Sequence, residues 1–317
     1  MQNFTPIEFQ QARDFSKKLN ATFEFLQQNF KSLGKSLLYI AGPVVLIGSL
    51  LAGSLYTGYL NSILSYGSDP AGLFDFINST TTWIQGAAAV LFVFISGIFV
   101  VSVVYNYMLE YDARKSNRIE VDAVWTRVRQ TLPAYFVTFF LFFVLLLSVY
   151  ALAFLFIAGL GTLSIGLAIL AAFVVVVLLI YLLVPLSLIF VVRAFEKVGF
   201  IGAVQRCFML IQGKWWSTFG LLVIVALVQS MMASVFFIPW YVNSIITMLH
   251  TIEGQTIQEP STISQLINNV FIVLYFMASF LLYSLPLIAL AFQYFNLVEL
   301  KEARGLMNRI EHMQNTV

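Results

Sequence analysis

Residues Gln130–Val192 read QTLPAYFVTFFLFFVLLLSVYALAFLFIAGLGTLSIGLAILAAFVVVVLLIYLLVPLSLIFVV, without one Asp, Glu, Lys, Arg or His. A helix needs about 20 mainly apolar residues to cross a hydrocarbon core about 30 Å thick. The run is too long for a single crossing and is broken at Gly159-Leu160-Gly161-Thr162, so it reads as a tight helical hairpin. Its spans fall near Pro133–Ala158 and Leu167–Val192. The same criterion, applied outward, places further spans near Leu37–Tyr59, Trp83–Leu109, Trp216–Phe237 and Ile267–Phe295. The expected fold is all-α: a polytopic membrane protein with six transmembrane helices in three hairpins, filling residues 37–298.

Composition agrees. Of 317 residues 60% are hydrophobic and 10% charged, with a mean hydropathy of +0.89, whereas a soluble domain carries about 25% charged residues. A net charge of +2 gives no basic surplus for nucleic acid. Cys207 is the sole cysteine, and His250 and His312 lie on different segments. That excludes an intramolecular disulfide framework and a multi-thiolate metal site; no cofactor or metal is implied. Met1–Ser36 lacks the apolar core and small-residue cleavage site of a secretory signal, so the first membrane helix is expected to direct insertion.

Lys and Arg are retained preferentially on the cytoplasmic side of a membrane, and here they segregate completely. Arg13, Lys17, Lys18, Lys31 and Lys35 precede the first span; Arg114, Lys115, Arg118, Arg127 and Arg129 lie between the second and third. Arg193, Lys197, Arg206 and Lys214 separate the fourth from the fifth, and Lys301, Arg304 and Arg309 follow the sixth. The opposite loops carry Asp69, Asp75, Glu253 and Glu259 with no Lys or Arg. Both termini are therefore expected in the cytoplasm. Trp83 and Trp240 fall at outer helix ends, Trp215 and Trp216 at an inner one and Trp125 in a cytoplasmic segment, as interfacial anchors do.

Three cytoplasmic segments look amphipathic, each leading into a hairpin. The first, residues 1–36, opens with Thr5-Pro6-Ile7-Glu8, the pattern of a helix capping box with proline at the first helical position. Leu19, Phe23, Leu26, Phe30, Leu33 and Leu37 then recur at helical spacing opposite Lys17, Lys18, Lys31 and Lys35. Val121, Val124, Trp125, Val128 and Leu132 oppose Arg127 and Arg129; Ile201, Val204, Phe208, Ile211 and Trp215 oppose Arg206 and Lys214. Such helices lie in the headgroup plane with the basic face toward anionic lipid. The lipid-interface candidates are thus Lys17, Lys18, Lys31, Lys35, Arg127, Arg129, Arg206, Lys214, Trp125, Trp215 and Trp216.

Superposed on Gln28, Gln130 and Gln212, the three segments reach Leu37-Leu38, Phe139-Phe140 and Leu221-Leu222 at equal separation, suggesting a threefold repeat. The second helices of units two and three share Leu183-Val184-Pro185-Leu186 and Ser284-Leu285-Pro286-Leu287. Pro185 and Pro286 are the helix-kink candidates, with Ser187 and Ser284 beside them as hydrogen-bond donors.

Ala203-Val204-Gln205-Arg206-Cys207-Phe208-Met209-Leu210-Ile211-Gln212-Gly213-Lys214-Trp215-Trp216, running into Phe219-Gly220-Leu221-Leu222, resembles the basic helix, turn and membrane helix of one bacterial group. That group is the membrane domain associated with glycerophosphodiester phosphodiesterases, with its six-helix relatives. Phe295–Leu306 is similar to the tail of those relatives; residues 299–317 are read as a cytoplasmic C-terminal helix. The resemblance implies a bacterial inner membrane. The group's chemistry resides in a separate soluble barrel that this chain lacks, so no catalytic residue carries over.

Motifs for phosphate loops, zinc proteases and serine hydrolases are absent. Glu110, Asp112, Glu120 and Asp122 form an acidic group interleaved with Arg114, Lys115 and Arg118, the pattern of a salt-bridged turn. Ionisable residues inside the spans, the mark of a coupled transporter, are absent as well. Neutral polar residues remain, among them Ser96, Ser102, Asn106, Tyr107, Ser148, Tyr181, Tyr283, Gln293 and Asn296. The sequence therefore points to a non-enzymatic scaffold or accessory subunit engaging anionic membrane lipids, a protein partner or a second copy of the chain. The alternative is a carrier for an uncharged or amphiphilic solute.

Overall fold

The computed structural model describes residues 5–64, 70–242 and 262–305, with Ile245, Met307 and Gln314. His250, His312, Arg309, Asp69, Glu253, Glu259 and most of the expected C-terminal helix lie outside them. Among the described residues there are helices and turns and no strand. In chain order the helices are α1 (Phe15–Ser36), α2 (Gly42–Leu64), α3 (Pro70–Asn78), α4 (Thr80–Arg114), α5 (Val121–Gly161) and α6 (Ile165–Leu186). Then follow α7 (Ile189–Glu196), α8 (Phe200–Ile211), α9 (Trp215–Ser234), α10 (Thr262–Leu282) and α11 (Ser284–Glu302). Six helical stretches are long and apolar enough to cross a membrane: Phe15–Leu60, Thr80–Arg114, Val121–Gly161, Ile165–Glu196, Trp215–Val242 and Leu266–Glu302.

The structure differs from the sequence reading mainly at the joints. Thr5-Pro6-Ile7-Glu8 starts no helix: residues 5–14 are irregular and α1 begins at Phe15. Its opening is set by Asp14, whose carbonyl accepts from the Lys18 amide at 3.0 Å. The capping-box pattern has no helical periodicity behind it, and Ile7 and Phe9 are instead buried. At the expected boundary after Ser36 the helix does not stop. It passes through a π-helical turn, Leu37–Ala41, directly into α2, a local widening that shifts a helix face by a fraction of a turn.

Likewise α5 runs unbroken through Pro133 for 41 residues, about 60 Å at 1.5 Å per residue. Only the third segment is separate: α8 ends at Ile211, and Gly213, with φ of 79°, turns the chain into α9. That backbone region favours glycine. Both proline-bearing second helices are interrupted. The fourth span breaks at Ser187–Leu188, just after Pro185; the sixth breaks at Tyr283, so Pro286 sits in the first turn of α11, where a missing N–H costs no hydrogen bond.

The chain divides into two compact units. One comprises Met1–Leu33, Val104–Val225 and Pro286–Val317; the other Gly34–Val103 and Ala226–Leu285. Within the second, α2 packs against α10 and against α3, and a Cβ added to Gly53 would stand 3.1 Å from Val273 Cγ2. Gly48 faces Ser96 and Phe92 of α4 as closely, at 3.2 and 3.4 Å. The Gln229 amide donates to the Ser279 carbonyl at 3.0 Å, tying α9 to α10. Tyr56, Phe237, Tyr275 and Phe276 make an aromatic cluster beside it.

In the first unit α5 and α6 are neighbours joined by the turn after Gly161. The hydroxyl of Ser164 accepts from the Gly166 amide at 3.2 Å, capping α6. Most of the apolar side chains on this pair are exposed, among them Phe140, Leu152, Phe154, Ile169 and Phe173. The fully buried side chains of the unit, among them Tyr107, Met108, Tyr111, Val124 and Phe292, lie instead toward the charged ends of its helices.

Candidate functional site

The basic helix ends of the first unit converge on an aromatic and polar core. Phe9, 3% exposed, is boxed by four rings: Phe295 at 5.0 Å between centroids, Tyr111 and Phe292 at 5.7 Å, and Phe25 at 6.0 Å. Two backbone hydrogen bonds anchor the irregular segment on either side. The Ile7 amide donates to the Tyr111 hydroxyl at 2.9 Å and the Arg13 amide to Asn296 Oδ1 at 2.7 Å. Arg13 curls back to donate to the carbonyls of Phe9 and Glu8 and lies over the Phe292 ring. Residues 7–13 thus form a strap across α1, α4 and α11.

Beneath the strap, α1 turns a polar face inward. Lys18, Thr22, Asn29 and Ser36 are buried with Ala21 and Phe25. The Tyr107 hydroxyl donates to Asn29 Oδ1 at 2.8 Å and contacts Ser32 Oγ, which in turn donates to the Asn117 carbonyl at 2.8 Å. Lys18, 2% exposed, donates to Gln293 Oε1 at 2.6 Å and to Ser217 Oγ at 2.9 Å. Gln293 completes the link by donating to Thr218 Oγ1 at 2.8 Å. Three helices, α1, α9 and α11, are joined there without a carboxylate.

Carboxylates cluster elsewhere. Glu196, at the end of α7, takes three bonds of 2.9–3.0 Å from Arg206 and one of 2.9 Å from the Tyr294 hydroxyl. Arg304 lies 3.6 Å from the same carboxylate and pairs with Glu302 at 2.7 Å. Burial works against the Arg206 charge, but the bonds to Glu196 and Glu302 outweigh it and hold the guanidinium pKa above its ordinary value. Next to it Cys207 is fully buried, and burial, with the Glu196 charge adding, pushes its thiol up to about 12. Glu110 pairs with Arg114 at 2.7 Å and with Arg127, and Asp112 pairs with Lys115. These acidic residues sit in ion pairs, and no group of three His, Cys, Asp or Glu able to hold a metal occurs among the described residues.

The lipid-interface candidates separate into three kinds. Lys17, Lys31, Lys35, Arg129, Lys214 and Trp216 are exposed; Trp125, Arg127 and Trp215 are half-buried. Lys18 and Arg206 are turned inward, onto Gln293 and Ser217 in one case and Glu196 and Glu302 in the other. The apolar stripe of α1 is inward only in part: Leu33 and Leu37 are buried, Leu19, Phe23 and Leu26 half-buried, and Phe30 is 73% exposed. Ile201 and Phe208 of α8 are likewise exposed, whereas Val124 and Val128 of α5 are buried. Pro185 and Pro286 are both buried. The inward face of α1 is centred on Lys18, Thr22 and Asn29, beside the apolar stripe, so the apolar spacing alone does not point to them. Their own spacing of four and seven was the available signal. Comparison with protein-family models, curated proteins and solved structures finds no match for the chain.

Proposed function

We propose that the chain is a non-enzymatic scaffold of the bacterial inner membrane, with both termini cytoplasmic, whose basic helix ends engage anionic lipid. The observation that carries this reading is the pairing of exposed cations with exposed apolar side chains on the same helices. Lys31 and Lys35 stand beside Phe30, Leu38 and Tyr39, and Lys214 adjoins Trp216, which is 77% exposed. Cations and aromatics in this arrangement fit the boundary between headgroups and acyl chains. Each such cation contributes about 1 kcal/mol of attraction to an anionic surface. Lys18 with Gln293 and Asn29 with Tyr107 are meanwhile joined by hydrogen bonds between buried side chains of the first unit, which suits a rigid body.

The test uses the full chain in vesicles containing brominated phosphatidylglycerol or brominated phosphatidylcholine, with tryptophan quenching as readout. The wild type should favour the anionic lipid, and replacing Lys31, Lys35 and Arg129 together by Gln should remove most of the preference. Equal quenching by both lipids in the wild type contradicts the reading. A carrier is the second reading, favoured by the interruptions at Ser187–Leu188 and Tyr283, since broken helices frame solute sites in transporters. Saturable solute flux in liposomes, lost in Pro286→Ala, would select it.

A further inference from the structure

Lys18 is buried with no carboxylate in contact with its ammonium group. Its ammonium is bonded to two neutral oxygens, Gln293 Oε1 and Ser217 Oγ, and lies against the Phe15 ring, with the nitrogen 5.6 Å from its centroid. Among the described residues no carboxylate lies within ion-pair distance of it. Asp14 acts on it only from farther off, being largely exposed and 3.6 Å from Lys17. A buried cation supported by hydrogen bonds alone is costly unless an anion offsets it.

The surroundings add further positive charge. Lys214 is exposed, immediately precedes α9 and is close enough to act on Lys18. Ser217, half-buried in the first turn of α9, accepts from Lys18, so its own hydroxyl proton is directed away from the ammonium and free to donate. The first amides of a helix have no intrahelical acceptors and carry the positive end of its dipole. Trp216 beside them is exposed, as a side chain at headgroup depth would be.

We propose that Lys18, Lys214, Ser217 and the first turn of α9 form a phosphate site that holds the headgroup of one anionic phospholipid. The proposal rests on the membrane-lipid reading above but concerns a single retained lipid rather than the general attraction of the surface. Ser217 relays the buried charge: Lys18 polarises the hydroxyl, the hydroxyl donates to a phosphate oxygen, and Lys214 pairs with the phosphate from outside.

The experiment is native mass spectrometry of the full chain in neutral detergent with added phosphatidylglycerol, phosphatidylcholine or inorganic phosphate. One phosphatidylglycerol should stay bound where phosphatidylcholine does not. Lys18→Gln and Ser217→Ala should each lower its retention at least fivefold; the second variant leaves the Lys18–Gln293 bond in place and so guards against misfolding. Replacing Lys31, Lys35 and Arg129 by Gln should leave this lipid bound, so loss of the general preference and loss of the site are separable. Displacement of the lipid by millimolar inorganic phosphate, with phosphate retained instead, overturns the lipid assignment. Equal retention of both lipids, or wild-type retention in both single variants, overturns the site.

Discussion

Trp215 donates its indole N–H to the backbone carbonyl of Tyr181 at 3.1 Å, while the two rings stack with centroids 5.7 Å apart and planes 18° apart. That carbonyl is the one Pro185 strands. In an α-helix the oxygen of residue 181 would accept from the amide of residue 185, which proline lacks. An orphan carbonyl in a poorly hydrated setting costs free energy comparable to a lost hydrogen bond. The side chain of Ser187, the neighbour expected to serve, instead donates to Val184 O at 2.7 Å. The helix break is thus closed by a tryptophan from α9.

This relationship predicts a coupling between Trp215 and Pro185. Trp215→Phe should keep the stacking, lose the bond and destabilise by about 1 kcal/mol, the net contribution of a typical hydrogen bond. Pro185→Ala restores an amide to Tyr181 O, so in that background the same change should cost about 1 kcal/mol less. Unfolding by SDS titration in mixed micelles measures all four proteins. Strictly additive effects would show that the indole bond is not compensating the proline.

The strap gives a second expectation. Phe9 fills a box of four rings, and Phe9→Ala should cost about 3 kcal/mol, at the low end for such truncations because the strap can peel away locally. Hydrogen exchange locates the effect: the amides of Ile7 and Arg13, bonded to Tyr111 and Asn296, should lose protection before the helices do. Unchanged exchange at both amides in the variant would contradict the packing.

Cys207 reports on the burial of α8. Burial raises its pKa from about 9 to about 12, and the thiolate is the reactive form. Maleimide should therefore fail to label folded protein between pH 7 and 9 and label it fully in denaturant. The sign for stability follows. The unfolded thiol ionises first, so the contribution of this residue is whole below about pH 9 and is lost as pH rises toward 12. Cys207→Ala should have a shallower alkaline decline; rapid labelling of native protein at pH 8 would refute the buried placement.

The six apolar stretches could be read directly because hydrocarbon imposes a minimum length on any crossing helix. So could the tight turn between α5 and α6. The face of α1 could not. In water the apolar stripe of an amphipathic helix marks the buried side, but here Phe30 is exposed while Lys18 and Asn29 are inside, bonded to Gln293 and Tyr107 from distant parts of the chain. Nor could the strap, since an irregular segment has no period, and its partners Tyr111 and Asn296 lie 104 and 283 residues away from Ile7 and Arg13. The π turn after Ser36 has no local signature at all. Local pattern carries what the solvent demands, and long-range pairing decides the rest.

The proposed topology puts every basic helix end on one side of the membrane and the α5–α6 turn on the other. In a Cys207→Ser background, single cysteines at Leu163 in that turn, and at Ala113 and Gln212 beside the basic ends, all fall at exposed positions. Treatment of sealed cells with a membrane-impermeant maleimide should label Leu163→Cys and leave Ala113→Cys and Gln212→Cys unlabelled until the membrane is opened. Labelling of either basic-end cysteine in sealed cells, or protection of Leu163→Cys, would contradict it.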